Sequence, residues 1–252
     1  MISNNHGPQP FPLVLRAPKH RHQGGRDLVI WLSGFTGTKE RMIPQLEALA
    51  DLGFHAVSFD LFGHGERLRP GETMQEMAAR VRSNRREHFW RMLGHTAGDM
   101  RLVIDWAVER LHIDGLIIAG GVSAGGDISI AAAGMDRRIQ AVSACIATPD
   151  WLRQGSSELQ GTSDAVSQQL FNRFNPVTHP ESFAHMPWLH FENAGQDRLV
   201  PPEAAVRFSG VLRQSCYRSC PERISITEHP GVGHGFTDAM WQGSLEWIKS
   251  LR

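Results

Sequence analysis

An α/β architecture built on a mostly parallel, twisted sheet is predicted by three features of the 252-residue sequence. From residue 28 onward, short apolar runs of strand length alternate with amphipathic stretches of helix length. The runs are nearly continuous in apolar residues, as strands covered by helices on both faces require. The length suits one large core, so we expect residues 1–252 to form a single domain.

The predicted strands are apolar runs bounded by turn residues. They are Leu28–Ser33, Phe54–Phe59, Leu116–Gly120, Ala141–Thr148, Trp188–Asn193 and Arg223–Glu228. After the first strand, Ile43, Leu46 and Ala50 repeat at helical spacing, and Gly53 ends the repeat. A second helical repeat runs from Met100 to Leu111. Helices between successive strands favour parallel pairing.

The segment Trp151–Pro187 has a different texture from the rest of the chain. It is polar, lies between two predicted strands and contains one helical patch, Ala165–Phe174. A long insertion of this kind is typical of a functional excursion. We expect it to cross one edge of the sheet as a small lid.

The region Glu72–Leu93 carries apolar residues on one helical face and many arginines around the rest. These arginines are Arg80, Arg82, Arg85, Arg86 and Arg91. One interpretation is a solvated face whose long side-chain stems cover apolar surface. The other is that some of these guanidinium groups recognise an anion. The pattern leaves both open.

Composition excludes several classes of protein. The chain has 26 basic and 26 acidic residues, so it lacks the positive charge that nucleic acid or an anionic membrane surface attracts. Its longest apolar runs are about ten residues, whereas a membrane span needs about 20. The N-terminus shows no signal-peptide pattern. We therefore expect a cytoplasmic protein without nucleic-acid or membrane partners; the sequence does not indicate its oligomeric state.

No cofactor or metal is expected either. Three cysteines are too few and odd in number for a disulfide framework, and Cys216 and Cys220 lack a second pair at zinc-ligand spacing. The glycine-rich turns match neither the phosphate loop nor the dinucleotide fingerprint.

The strongest chemical signal is Gly121-Val122-Ser123-Ala124-Gly125, which matches G-x-S-x-G between a predicted strand and a small-residue helix. A serine on so sharp a turn needs small neighbours, so that the backbone can bend and a substrate carbonyl can approach. The following helix N-terminus directs amides and a partial positive charge towards a developing oxyanion. Ser123 is therefore the candidate nucleophile.

A serine nucleophile needs a general base and an acid that orients it. His234 lies in the glycine-rich loop after the last predicted strand and is the favoured base; His229, at the strand end, is the weaker candidate. Asp197 lies on the loop after Trp188–Asn193 and is the favoured acid. Asp150, after the preceding strand, is the competing acid.

These motifs, in the order Ser…Asp…His, resemble the α/β-hydrolase superfamily. More narrowly, residues from Leu28 to the C-terminus are similar to compact serine esterases related to dienelactone hydrolases and to acylaminoacyl-peptidase-like catalytic domains. The resemblance implies an oxyanion hole formed by the amides of Phe35 and Ala124. Ser33 stands where the family usually has histidine, which leaves the anchoring of that loop uncertain. The Asp60–Glu66 run resembles the family's Asp-x-x-Gly-His-Gly turn, in which we interpret His64 as a structural or pocket-lining residue.

The resulting expectation is a serine hydrolase that cleaves small carboxylic esters through an acyl-enzyme. A thioesterase, amidase or peptidase could use the same residues, and a hydrolase-fold protein could instead bind a ligand without turnover. Aromatic residues expected to line the substrate pocket are Phe62, Trp151, Phe171 and Phe174.

Overall fold

The structure, a computed structural model, describes residues 10–19 and 26–252. In this part of the chain, seven strands form one sheet in the order β1-β3-β2-β4-β5-β6-β7. The strands are β1 (Leu13–Arg16), β2 (Leu28–Leu32), β3 (His55–Phe59), β4 (Ile117–Val122), β5 (Ala141–Cys145), β6 (Trp188–Ala194) and β7 (Ile224–His229). All neighbours are parallel except β1 and β3. The predicted α/β class with a mostly parallel sheet is confirmed.

The strand bounds agree with the predictions to within two residues, apart from two larger differences. The strand β1 was not predicted; it is a short, half-buried edge strand in which Leu13 lies opposite Phe59 of β3. The strand β5 ends at Cys145, three residues before the predicted end at Thr148. The cause is Ile146, whose φ of 45° turns the chain out of the sheet.

Helices cover both faces of the sheet. They are α1 (Ile43–Asp51), α2 (Met74–Ser83), α3 (Arg85–Leu111), α4 (Ala124–Met135), α5 (Ala165–Phe174), α6 (Glu203–Gln214) and α7 (Asp238–Ser250). Alternate residues of β2 enter different layers: Ile30 packs in the cluster with α2 to α6, and Trp31 packs in the cluster with α1 and α7. Among the helices of the described residues, none is long and apolar enough to cross a membrane.

The segment 151–187 is anchored to the body of the protein. Its helix α5 has the bounds predicted from the sequence and packs on α3, where the rings of Phe171 and Trp90 stack with centroids 4.2 Å apart. Gly94 of α3 permits this approach, because a Cβ there would lie 2.7 Å from the Leu170 Cβ. The role of the segment as a lid stays a prediction.

The order of the strands creates a crevice between β2 and β4. The chain proceeds outward from β2 to β3 in one direction and from β4 to β7 in the other, so the loops that follow β2 and β4 separate there. In open α/β sheets, this switch point at the carboxyl ends of the strands is where ligands bind.

The turn after β3 is organised by the carboxylate of Asp60. This carboxylate is fully buried and accepts hydrogen bonds from the Lys39 amide (3.0 Å), the Lys39 ammonium (2.8 Å) and the Glu66 amide (3.1 Å). Gly65 has φ of 53°, and a Cβ there would lie 2.3 Å from an Asp60 carboxylate oxygen. Glycine is therefore required at this position.

His64 fastens this turn to the loop after β2. Its ring is fully buried; Nε2 accepts a hydrogen bond from the Thr36 amide at 3.2 Å, and Nδ1 donates to the Phe62 carbonyl at 3.3 Å. Burial lowers the pKa of His64 to about 4. A neutral ring with its proton on Nδ1 satisfies both bonds.

Replacing His64 by Gln should reduce the loss of unfolding free energy at acidic pH. The pKa of His64 is lower in the folded chain than the ordinary 6.5, so its contribution is present above pH 6.5 and disappears as the pH falls through about 4. Gln can accept from Thr36 and donate to Phe62 without titrating. Between pH 7 and pH 5, we expect the parent protein to lose about 2 kcal/mol more unfolding free energy than His64→Gln. Urea unfolding at both pH values measures the difference, and equal losses in the two proteins would contradict a neutral buried ring.

Candidate active site

Ser123 occupies a strained turn between β4 and α4. Its φ of 52° and ψ of −118° are unusual for a residue with a side chain. Close packing encloses the turn: a Cβ on Gly121 or on Gly125 would lie 2.5 Å from the Leu32 carbonyl oxygen. The Ser123 amide donates to the Cys145 carbonyl at 2.8 Å. The hydroxyl is thereby held at the N-terminus of α4, on an elbow of the kind that the G-x-S-x-G pattern predicts.

The loop after β2 packs against this elbow. A Cβ on Gly34 would lie 3.5 Å from the Ser123 Cβ, which shows how closely the two turns approach. In the part of the chain that the structure describes, the amides of Phe35 and Ala124 donate to no protein acceptor. They are the two amides that the family resemblance assigns to the oxyanion hole.

The anchoring of this loop, left uncertain by the sequence, comes from His64. Ser33, which stands in place of the family's usual histidine, is buried, and its hydroxyl has no hydrogen-bond partner among the described residues. The loop is held instead at Thr36, whose amide donates a hydrogen bond to His64 Nε2. The His64 ring also meets the Phe35 ring edge-on, with centroids 5.6 Å apart.

Ser123, His234 and Asp197 form a continuous chain of polar contacts. The Ser123 Oγ lies 3.1 Å from His234 Nε2, and His234 Nδ1 lies 2.6 Å from an Asp197 carboxylate oxygen. Because the carboxylate accepts from Nδ1–H, the neutral ring presents Nε2 as an acceptor for the serine hydroxyl. Ser123 and Asp197 are largely buried, while the His234 side chain is 23% exposed.

The orientation of Asp197 is fixed by its own loop. The oxygen that does not face His234 accepts from the amides of Leu199 and Val200, each at 2.9 Å. The loop that carries His234 is bonded to the loop that carries Asp197, because the Gln196 amide donates to the Val232 carbonyl at 2.8 Å. Backbone contacts therefore hold both loops in register.

The competing residues have other partners. Asp150 is buried and accepts from the Leu152 amide at 3.0 Å; burial raises the pKa of its carboxyl. His229 directs Nε2 towards the buried carboxylate of Glu192, at 2.5 Å. Neither is engaged with Ser123 or His234 in the described contacts.

A buried ion pair lies one turn beyond the nucleophile and was not anticipated from the sequence. Asp127 of α4 meets the Arg153 guanidinium at 2.7 Å and also accepts from the Thr148 amide at 2.7 Å. Burial raises the pKa of the Asp127 carboxyl, and Arg153 and the amide counteract that effect. The sequence contains one signal of this pair: Asp127 is the lone acid in the largely apolar helix Ala124–Met135, and a buried acid requires a partner.

Most of the aromatic residues predicted to line the pocket are buried. Trp151 is 1% exposed, and its carbonyl accepts from the Trp90 indole at 2.9 Å. Phe171 and Phe174 are buried on the face of α5 that packs against the core. All three side chains pack in the core, and Phe174 also lines a cavity with Phe183 and His179; their role in a substrate pocket stays a prediction. Phe62 is exposed, and its ring lies 4.5 Å from that of His95, centroid to centroid.

The arginines of the region Glu72–Leu93 divide between two environments. Arg85 is buried beside Glu158 at 2.7 Å, and burial together with neighbouring Arg153 lowers its pKa to about 10. Arg82 lies over the Phe35 ring, 5.6 Å from its centroid. Arg80 and Arg91 instead line a cavity beside Phe62. The region is thus not a uniform solvated face, and recognition of an anion by some of its arginines stays a prediction.

Comparisons with known proteins agree with the fold. The chain is 26% identical to the "Putative esterase YitV" of Bacillus subtilis, over 96% of this chain and 94% of that protein. TT1662 from Thermus thermophilus superimposes with a TM-score of 0.75 at 22% identity, covering 94% of this chain and 92% of that one. Est1E from Butyrivibrio proteoclasticus, solved with ferulic acid, gives a TM-score of 0.62 at 19% identity, covering 95% and 94%.

A further neighbour has a longer chain. The acylaminoacyl peptidase of Pyrococcus horikoshii gives a TM-score of 0.64 at 14% identity, and the match covers 95% of this chain but 37% of that one. The sequence model of the "alpha/beta hydrolase fold" matches residues 27–174, more than half of the chain. The chain belongs to the α/β-hydrolase fold family.

Proposed function

We propose that the protein is a serine hydrolase that cleaves small carboxylic esters through an acyl-enzyme. The observation that carries the proposal is the chain from Ser123 Oγ through His234 to Asp197, at 3.1 and 2.6 Å. Contacts of this length suit proton transfer from a serine to a histidine base. The amides of Phe35 and Ala124, which donate to no acceptor among the described residues, would supply the hydrogen bonds that an oxyanion requires.

In the proposed reaction, His234 takes the Ser123 proton as the serine oxygen attacks the ester carbonyl. The carbonyl oxygen becomes negatively charged and accepts hydrogen bonds from Phe35 and Ala124. His234 then gives the proton to the departing alcohol, leaving the acyl group on Ser123. Water, deprotonated by His234, releases the acid. Asp197 stabilises the positively charged ring throughout both steps.

The relatives supply independent support for ester substrates. YitV is named a putative esterase. Esterase 2 of Thermogutta terrifontis, with a TM-score of 0.61, has been solved after phosphonylation by cyclosarin. The same three residues could act on thioesters or amides, because the arrangement does not encode the leaving group. Small esters are favoured here by these relatives.

A fluorophosphonate probe tests the proposed nucleophile. Attack by Ser123 Oγ on phosphorus should expel fluoride, which leaves with the serine proton as HF, so intact mass spectrometry should detect a mass increase equal to the probe less HF. We expect no adduct on Ser123→Ala. Ser83→Ala, which alters an exposed serine at the end of α2, is the matched control and should label like the parent. A parent protein that resists labelling would indicate a ligand-binding protein without turnover.

Asp197→Asn and Asp150→Asn test the identity of the acid. Asparagine at 197 favours the wrong tautomer of His234, in which Nε2 carries the proton and cannot accept the serine proton. The value of kcat should therefore fall by about 10⁴-fold. Asparagine at 150 can still accept from the Leu152 amide, so kcat should change little. Steady-state rates on a short chromogenic ester measure both. A large loss in Asp150→Asn alone would transfer the role to that residue.

The preferred acyl group should be short, about two to six carbons. We propose the segment 151–187 as the lid of a single-domain enzyme, and its apolar residues Phe171 and Phe174 are already buried in packing. Each methylene gains about 0.8 kcal/mol only where apolar surface can receive it. Values of kcat/KM over a series of chromogenic esters measure the preference. A continued rise through twelve carbons would require an apolar tunnel and contradict the expectation.

A further inference from the structure

A cavity of about 120 Å³ lies where the turn after β3 meets α2 and α3. This is room for several water molecules or for a small polar ligand. Arginines from three parts of the chain line it: Arg67 and Arg69 from the turn, Arg80 from α2 and Arg91 from α3. None of its lining residues, all of which belong to the described chain, is an aspartate or a glutamate. The wall of the cavity is therefore cationic.

Carboxylates outside the cavity hold three of these arginines in place. Arg67 pairs with Asp99 at 2.6 Å, Arg80 pairs with Glu72 at 2.7 and 2.9 Å, and Arg91 pairs with Asp164. Arg69 is exposed and forms no ion pair in the described part of the chain, although its charge acts on the nearby Glu72 carboxylate, which is paired with Arg80. Four arginines therefore line the cavity against three paired carboxylates, an excess of one positive charge.

The ion pairs also leave hydrogen-bond donors free. Arg80 uses Nε and Nη2 for Glu72, which leaves Nη1 without a partner among the described residues. Arg91 Nε is buried and likewise has no acceptor in the described chain. Guanidinium groups fixed in orientation, with unused N–H groups, suit a carboxylate or phosphate oxygen.

Three histidines add polar groups of a different kind. His64, His88 and His95 line the same cavity. Burial lowers the pKa of each, and the surrounding arginines lower it further. At neutral pH these rings are therefore uncharged. His88 and His95 can exchange hydrogen bonds with a ligand, whereas both ring nitrogens of His64 already bond to Thr36 and Phe62. The rest of the wall is apolar, with Met77, Val81 and Met92 beside the exposed ring of Phe62.

We propose that this cavity binds a small organic anion, whose carboxylate or phosphate group faces the arginines and whose apolar or aromatic body lies against Phe62 and the methionines. The site is distinct from Ser123. The two are connected through His64, which lines the cavity and holds the Thr36 amide beside Phe35.

Calorimetric titration with benzoate, phenyl phosphate and the neutral analogue benzamide tests the proposal, on the parent protein and on Ser123→Ala. We expect at least one anion to bind ten times more tightly than benzamide, and equally well to both proteins. Comparison of benzoate with phenyl phosphate distinguishes carboxylate from phosphate as the preferred group. Because binding is measured without turnover, a failure of the proposed hydrolase function would not alter this result.

Two variants locate the site. Arg69→Gln removes an exposed, unpaired cation and should weaken binding of the anion about tenfold; Arg80→Gln should do the same. Arg101→Gln changes an exposed arginine of α3 outside the cavity and should have no effect. Thermal melting accompanies each variant, and Arg69→Gln decides the matter if Arg80→Gln fails to fold. Equal affinity for benzamide and both anions, or affinity unchanged in both cavity variants, would overturn the proposal.

Discussion

The close approach of the elbow to the end of β2 is the constraint on which the site depends. A Cβ atom on Gly121 or on Gly125 would lie only 2.5 Å from the Leu32 carbonyl oxygen, so neither position can carry a side chain. Any side chain there would displace α4 from the sheet. The absence of side chains lets the loop after β2 pack on Ser123, so that Gly34, the residue before Phe35, lies against the serine.

The sequence predicted the parts of the structure that depend on local pattern. The strands are apolar runs and Ser123 stands in a strand-turn-helix context, so both could be located from spacing alone. Asp197 and His234 were found because each follows a strand on a glycine-containing loop, and parallel strands bring such loops to one edge. The sequence does not indicate the distance between them, which is 2.6 Å from His234 Nδ1 to an Asp197 carboxylate oxygen.

Other features had no local signature. A buried aromatic residue gives the same sequence pattern whether it lines a pocket or packs in a core, so the sequence alone could not separate these roles for Trp151, Phe171 and Phe174. The edge strand β1 is half-buried and follows Pro12, so its four residues carry a weak strand pattern. The partners of the arginines depend on side-chain directions in three dimensions, so composition could not assign them.

The ion pair between Asp127 and Arg153 has a consequence for how a substrate could enter. Undocking the segment 151–187 would remove Arg153 and leave the Asp127 carboxylate buried without its counter-ion. Breaking a buried pair in this way costs about 3–5 kcal/mol. A detached segment would then be populated in roughly one molecule per thousand. A substrate of the proposed enzyme would therefore reach Ser123 with the segment 151–187 still docked, because undocking of the whole segment is rare.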